Sequence, residues 1–263
     1  MAFARLNGAV IHYEDAGARG GKPVVFSNSL GTDFRIWDGV VGHLSAEHRV
    51  ILYDTRGHGL SEATPGPYAM KTLAEDIAAL LDHLDVESAA VVGLSVGGMI
   101  AQGLASLRPD LVSALVLMDT AHRIGTVEGW NGRIDTIRQK GMAAIADGVL
   151  SGWFTQTYRD SVADFAGYRA MLLRNDIEGY AGVCTALRDA DLTESTRALK
   201  MPTLCIAGEH DATTSPAIMQ TTADLIDGAR LEVIRDAGHI PCVERPKETA
   251  TLIAGFLREA GLS

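Results

Sequence analysis

The sequence has few cysteines, and they lie far apart. Cys184, Cys205 and Cys242 are the three cysteines among 263 residues, which is too few for a disulfide framework and too scattered for a zinc site. We therefore expect all three to be reduced and to fill apolar space. The sequence also lacks an uncharged apolar run of roughly 18 residues, so no membrane-spanning helix is predicted.

Basic residues are outnumbered by acidic ones. The 23 Lys and Arg residues against 33 Asp and Glu residues give a net charge of −10. A chain this acidic, without a basic stripe, would repel phosphate backbones and anionic lipid surfaces. Nucleic acid and membranes are therefore not expected as partners, whereas a homo-oligomer stays open. Residues 1–7 show no secretory-signal pattern, so a cytoplasmic location is expected.

Short apolar runs alternate with segments of helical periodicity. The runs lie at 24–27, 50–53, 89–93, 114–118, 203–207 and 230–234. Because the runs are continuously apolar instead of alternating, they predict strands covered on both faces. Helical stripes at 72–84, 99–107 and 250–257 complete a pattern typical of an α/β fold with a mostly parallel central sheet and helices on both faces. Residues 10–13 predict an antiparallel hairpin at the sheet edge.

The segment 121–199 interrupts this alternation. It contains no convincing strand, and it is rich in aromatic residues, namely Trp130, Trp153, Phe154, Tyr158, Phe165, Tyr168 and Tyr180. We interpret the segment as a helical lid inserted into a core formed by residues 1–120 and 200–263. The alternative for most of the aromatic residues is that they pack the small core of the lid itself.

A glycine-flanked serine follows one of the predicted strands. The sequence Gly93-Leu94-Ser95-Val96-Gly97 lies between the run at 89–92 and a helical stripe. A serine in such a strand-to-helix turn is held in a strained conformation that projects its hydroxyl, and the helix N-terminus adds free amide donors. Ser95 is therefore predicted to be a nucleophile; a plain glycine-rich turn is the alternative.

A nucleophilic serine needs a base, and the base needs a carboxylate. His239 lies in the loop after the strand at 230–234, and Asp211 ends the turn after the strand at 203–207. We predict that His239 is the base and Asp211 the acid. Asp119, directly after the strand at 114–118, is a rival acid, and Glu209 is a lesser one.

Acyl transfer also needs donors for the developing oxyanion, each worth on the order of 100- to 1,000-fold in rate. The amide of Val96, next to the nucleophile, is predicted to be one donor. The turn 27–31, after the first apolar run, would supply the second donor through the amide of Leu30. Taken singly, this turn could also be an ordinary polar turn.

Together these motifs resemble the α/β-hydrolase fold family over nearly the whole chain. The matching features are the turn at 28–31, the turn Asp54-Thr55-Arg56-Gly57-His58-Gly59-Leu60-Ser61, the serine turn at 93–97, the lid, and the turns carrying Asp211 and His239. Where many members have His-Gly in the first turn, this chain has Asn28-Ser29. The resemblance implies the α/β-hydrolase fold and Ser-His-Asp hydrolysis.

Two segments resemble the 3-oxoadipate enol-lactonases within that family. They are 26–33 with Trp37-Asp38, and 121–126 with Trp130 and Arg133. The resemblance implies a small anionic lactone as substrate. Trp130 and Arg133 would share one face of a helix, where they could bind its ring and carboxylate; alternatively, Arg133 pairs with a surface acid such as Glu128 or Asp135.

Cofactor chemistry is not expected, because the sequence has neither metal-ligand spacing nor a phosphate-binding glycine loop. Carboxylesterase, cofactor-free perhydrolase and carbon–carbon bond hydrolase activities remain rivals on the same three residues. Haloalkane dehalogenation is excluded, since it needs a carboxylate where Ser95 stands. A non-catalytic receptor that closes over a ligand is the rival from another class.

Overall fold

The computed structural model describes residues 1–263. It contains one sheet of eight strands in the order β1-β2-β4-β3-β5-β6-β7-β8. The strands are β1 (Ala2–Leu6), β2 (Ala9–Gly17), β3 (Pro23–Ser27), β4 (Arg49–Tyr53), β5 (Ala89–Leu94), β6 (Val112–Met118), β7 (Thr203–Gly208) and β8 (Arg230–Ile234).

Strand direction divides the sheet into two parts. Strands β4, β3, β5, β6, β7 and β8 are parallel to one another, and β2 pairs antiparallel with both β1 and β4. The predicted edge hairpin is therefore present and consists of β1 and β2. Asn7 and Gly8 connect them with φ values of +46° and +79°, as a two-residue hairpin turn requires.

Helices cover both faces of the sheet, so every residue of the central strands β5 and β7 is buried. The helices outside residues 121–199 are α1 (Asp38–Leu44), α2 (Met70–His83), α3 (Val96–Leu107), α10 (Pro216–Ala223), α11 (Pro241–Glu244) and α12 (Pro246–Glu259). Two pairs, α1 with α12 and α2 with α3, pack together. The predicted helical stripes coincide with α2, α3 and α12, except that Leu84 lies one residue beyond the end of α2. No helix combines the length and the apolar character needed to cross a bilayer.

Six further helices lie between β6 and β7. They are α4 (Val127–Lys140), α5 (Ala143–Trp153), α6 (Gln156–Ser161), α7 (Phe165–Leu173), α8 (Ile177–Asp189) and α9 (Thr193–Arg197). Four of the seven aromatic residues of this segment, Phe154, Tyr158, Phe165 and Tyr168, pack against one another with ring-centroid distances of 4.8–6.5 Å. These four residues form a local core, whereas Trp130, Trp153 and Tyr180 contribute to a cavity described below.

The turn between β5 and α3 lies unusually close to the end of β3. A Cβ atom on Gly97 would lie 2.2 Å from the carbonyl oxygen of Ser27 and 2.7 Å from that of Asn28. Both neighbours are backbone atoms, which cannot move without disturbing the sheet. Glycine at this position therefore lets the loop after β3 and the start of α3 meet.

We predict that Gly97→Ala lowers the free energy of unfolding by about 3 kcal/mol, because the added methyl group overpacks against the backbone. Gly255→Ala on α12 is the matched control, since its Cβ would meet no atom within 4 Å. That change should stabilise the protein by up to about 1 kcal/mol. Urea unfolding followed by circular dichroism measures both values, and equal effects would contradict the proposed close approach.

Candidate active site

Ser95 lies at the end of β5, immediately before α3. Its backbone has φ +58° and ψ −120°, a conformation that non-glycine residues rarely adopt. Two hydrogen bonds to β6 and the residues after it hold the backbone there: the Ser95 N–H donates to the Met118 carbonyl at 2.9 Å, and Thr120 Oγ1 donates to the Ser95 carbonyl at 2.6 Å. This turn has the geometry of a nucleophile elbow.

His239 and Asp211 form a buried pair at the carboxyl ends of β8 and β7. The His239 Nδ1 atom lies 2.8 Å from Asp211 Oδ2. Three further donors bind the carboxylate of Asp211: the Thr213 N–H at 2.7 Å, the Thr214 N–H at 3.2 Å and Thr214 Oγ1 at 2.7 Å. Burial opposes ionisation of Asp211, but the charge of His239 and these hydrogen bonds outweigh it and lower the pKa to about 2.

Ser95 and His239 line the same cavity. They make no direct hydrogen bond to each other, and serine–histidine contacts of this kind often tighten only in a substrate complex. The chain order Ser95, Asp211, His239 thus corresponds to three side chains gathered at one edge of the sheet. The arrangement can support proton transfer from an attacking hydroxyl to imidazole.

The loop after β3 brings Leu30 to this cavity. The N–H of Leu30 has no hydrogen-bond acceptor within the protein, and Val96, as the first residue of α3, offers an N–H that no preceding helical turn can satisfy. Asn28 anchors the loop, because its Nδ2 donates to the Tyr53 carbonyl at 2.8 Å and its Oδ1 accepts from Trp37 Nε1 at 2.8 Å. The loop after β3 and the first residue of α3 therefore each present a free N–H donor beside Ser95.

The cavity has a volume of about 260 Å³ and lies beneath the helices that follow β6. Its walls include Trp130, Trp153 and Tyr180, together with small residues of α4 and α5. Arg133 contributes the only Lys, Arg, Asp or Glu side chain of the lining. A small molecule with an apolar ring and one negative charge would suit such a site.

Arg133 faces the cavity without an acidic partner. Its Cζ atom lies 5.2 Å from the ring centroid of Trp130, and its Nη1 donates to the Tyr180 hydroxyl at 3.5 Å. No carboxylate lies within the 4.0 Å of an ion pair, so the alternative pairing with Glu128 or Asp135 is absent. By contrast, Arg138 on the same helix binds Glu178 with a 2.6 Å contact.

The rival acids occupy different environments. Glu209 is exposed and accepts a hydrogen bond from the N–H of Asp236 at 3.1 Å. Asp119 is buried and accepts from the Gly208 N–H at 2.7 Å, but it makes no hydrogen bond to His239. Asp211 is the carboxylate that His239 contacts.

His58 and His210 lie apart from this pair. His58 is buried in the turn after β4 and stacks against Tyr180 with a centroid distance of 6.0 Å; burial lowers its pKa to about 4. His210 is exposed and lies 3.9 Å from Glu209. Neither histidine lines the cavity with Ser95.

A protein-family model for the α/β-hydrolase fold matches residues 22–246. The chain belongs to the α/β-hydrolase family. Among curated relatives, "3-oxoadipate enol-lactonase 2" of Acinetobacter baylyi is 35% identical over 238 residues, which cover 90% of this chain and 89% of the relative.

Two solved structures superpose closely on this chain. The enol-lactonase of Burkholderia xenovorans LB400 has a TM-score of 0.95 and 40% identity, covering 98% of this chain and 100% of that one. A thermophilic esterase of Thermogutta terrifontis, with malate bound, has a TM-score of 0.93 and 30% identity, covering 99% of each chain. These likenesses support hydrolase function for this chain.

Sequence reasoning missed several residues that shape this α/β-hydrolase site. Thr213 and Thr214 bind Asp211, Thr120 fixes the elbow, and Tyr180 contacts Arg133. A turn signal was present for the first two, since Thr213 and Thr214 closely follow Asp211, and such residues commonly donate to a nearby aspartate. The contacts of Thr120 and Tyr180 depend on packing between distant segments.

Two groups in this α/β-hydrolase have spacing that a metal ion could use. Asp119, Asp211 and His239 are buried, and Glu209, His210 and Asp236 are exposed. In the buried group, Asp211 and His239 already bind each other. The absence of a metal requirement therefore remains a sequence-based prediction.

We predict that Ser95→Ala lowers kcat for a chromogenic ester by on the order of 10⁴-fold or more, because the attacking oxygen is lost. The free energy of unfolding should change by less than about 1 kcal/mol, since the Ser95 side chain makes no hydrogen bond. Ser151→Ala is the control, because that hydroxyl is exposed and bonds only the Gly148 carbonyl. A Ser95→Ala variant with near-normal kcat would refute Ser95 as nucleophile.

Proposed function

We propose that this α/β-hydrolase opens 3-oxoadipate enol-lactone to 3-oxoadipate, the lactone-cleaving step of the β-ketoadipate pathway of aromatic catabolism. The observation that carries the proposal is Arg133, a cation without an acidic partner in a cavity that also contains Ser95 and His239. The likeness to the enol-lactonases of Acinetobacter baylyi and Burkholderia xenovorans supports the same substrate.

In the proposed reaction, His239 takes the proton of Ser95 as the serine oxygen attacks the lactone carbonyl. The amides of Leu30 and Val96 would hold the oxyanion, and Asp211 would stabilise the imidazolium. The ring oxygen then leaves as an enol, which becomes a ketone. An enol is a better leaving group than an alkoxide, so His239 needs to supply less acid assistance.

The second half of the reaction releases the product from Ser95. Because the leaving group is tethered to the acyl group, the acyl-enzyme retains the whole substrate. Water activated by His239 then attacks the carbonyl carbon of this ester, while the same donors hold the oxyanion that forms. His239 returns the proton to Ser95 as the product leaves. We propose that residues 121–199 act as a lid that shields this ester from bulk water.

The negative net charge of the protein makes Arg133 important for binding an anionic substrate. The protein has a net charge of −10, which disfavours the approach of an anionic substrate. A guanidinium without a carboxylate partner provides a local exception and can bind a substrate carboxylate through two parallel hydrogen bonds. Trp130, which lies beside Arg133, would contact the lactone ring.

Carboxylesterase activity on small esters is the second candidate. The favouring observations are the mostly uncharged cavity wall and the likeness to the Thermogutta terrifontis esterase, a structure with malate bound. A test would compare the initial rates of loss of the enol-lactone with those of neutral lactones and short-chain esters. Preference for the enol-lactone supports the proposal; a higher kcat/KM for neutral esters would favour an esterase, and no turnover of any compound would favour a receptor.

We predict that Arg133→Gln raises KM for the enol-lactone by roughly 10- to 100-fold, the loss expected when a hydrogen-bonded charge pair is broken. The KM for a neutral ester should stay within about twofold, because that substrate has no carboxylate for Arg133 to bind. Steady-state kinetics on both substrates measure the difference.

Arg138→Gln is the matched control, because Arg138 lies on the same helix but binds Glu178 on the exposed surface. It should leave both KM values within about twofold. Equal losses on the two substrates in Arg133→Gln would indicate a disturbed fold and would contradict a carboxylate-binding role.

A further inference from the structure

A second carboxyl group is buried beside the Asp211–His239 pair. Asp119 follows β6 with φ +41° and is completely buried. Its Oδ1 accepts a hydrogen bond from the Gly208 N–H at 2.7 Å. Its Oδ2 is buried and has no hydrogen-bond partner. An ionised Asp119 would therefore carry charge on a buried oxygen that no protein donor compensates.

Asp119 belongs to a compact cluster with Asp211 and His239. One oxygen of Asp119, one oxygen of Asp211 and one nitrogen of His239 all lie within 4.8 Å of one another. Asp211 receives hydrogen bonds from His239, Thr213 and Thr214, so it is the carboxyl of the two that is built to be ionised. Two neighbouring buried carboxyls do not both ionise readily, because their charges repel.

The other groups around Asp119 reinforce this asymmetry. The titratable groups that act on Asp119 electrostatically are Glu244 and Cys242 on α11 and Asp211 in the loop after β7. His239, in the loop after β8, lies in the same cluster. No Lys or Arg forms an ion pair with Asp119. Burial first, and then the charge of Asp211, raise the pKa of Asp119 well above its usual range, against the opposing effect of the Gly208 N–H.

We propose that Asp119 is a neutral carboxylic acid whose Oδ2–H donates a hydrogen bond to Asp211, so that the two carboxyls share one proton and one negative charge. Asp119 would then be a positioning residue, which fixes the Asp211 carboxylate that orients His239. The catalytic part of this inference rests on the proposed role of His239 as base. The proposed protonation state of Asp119 is independent of that role.

Infrared spectroscopy tests the proton directly. The spectrum of the parent minus that of Asp119→Asn at pH 7 should contain the carbonyl stretch of a neutral carboxylic acid. Asp227→Asn is the matched control, since Asp227 is exposed and has no ion-pair partner; its difference spectrum should contain carboxylate bands. Carboxylate bands from Asp119 as well would overturn the proposal.

Thermal unfolding gives a second test that does not depend on activity. In the unfolded chain, Asp119 is exposed to water and ionises with the ordinary aspartate pKa of about 3.9, so unfolding at neutral pH would release a proton that the folded protein holds. The parent should therefore lose stability as pH rises from about 5 to 8. Relative to the parent, the Tm of Asp119→Asn should increase over that range. A constant Tm difference would contradict a proton held by Asp119.

Kinetics test the positioning role. Asn can donate to Asp211 and accept from Gly208, whereas Leu, of similar size, can do neither. Asp119→Leu should lower kcat for a neutral ester by about 10-fold or more, the effect of losing a hydrogen bond to a charged group, and Asp119→Asn should retain far more activity. The acid limb of kcat/KM should stay in place in Asp119→Asn, because one neutral group replaces another.

The outcomes separate the two proposals. An acid limb displaced to lower pH in Asp119→Asn would show that a negative charge beside His239 had been removed, and full kcat in Asp119→Leu would refute the positioning role. If Asp119→Leu fails to fold, the acid limb and the Tm of Asp119→Asn, compared with those of the parent, still decide whether Asp119 is neutral. If the parent hydrolyses no ester at all, the proposed function fails, while infrared and unfolding data still test the proton on Asp119.

Discussion

The buried hydrogen bond between Asp211 and His239 is the interaction on which the site depends. It joins the loops after β7 and β8, and it gives an imidazole a fixed orientation toward the cavity that contains Ser95. Burying the Asp211 carboxylate has an unfavourable desolvation free energy unless further hydrogen-bond donors offset it. The donors from Thr213 and Thr214 provide that support. The charge of His239, its hydrogen bond and these donors together lower the pKa of Asp211.

The parallel sheet makes this meeting possible. Adjacent parallel strands end at the same edge, so residues more than a hundred positions apart in sequence lie side by side there. Close approach of the backbones at Gly97 then brings the loop after β3 to the start of α3, and free amide donors gather beside Ser95. Trp130 and Arg133, from the segment inserted after β6, complete the cavity with an apolar ring and a single cation.

The fold could be predicted from sequence further than the site could. The continuous apolar runs predicted six of the strands, because a strand buried on both faces is apolar at every position. The observed strand bounds differ from the predicted runs by at most two residues, in β6, which begins at Val112. Ser95 could be located because its motif is local. The environment of Arg133 could not be predicted, since the absence of an acidic partner depends on how α4 and α8 pack. The lack of a partner for one Asp119 oxygen could not be predicted either, because it depends on how the segments after β6, β7 and β8 pack together.

The most direct test of a serine activated by this buried pair is chemical labelling. A fluorophosphonate should react stoichiometrically with the protein, and mass spectrometry of its peptides should place the adduct on Ser95. The labelling rate should fall by on the order of 100-fold or more in His239→Gln, because the hydroxyl loses its base. An adduct on another residue, or an equal labelling rate without His239, would contradict the account.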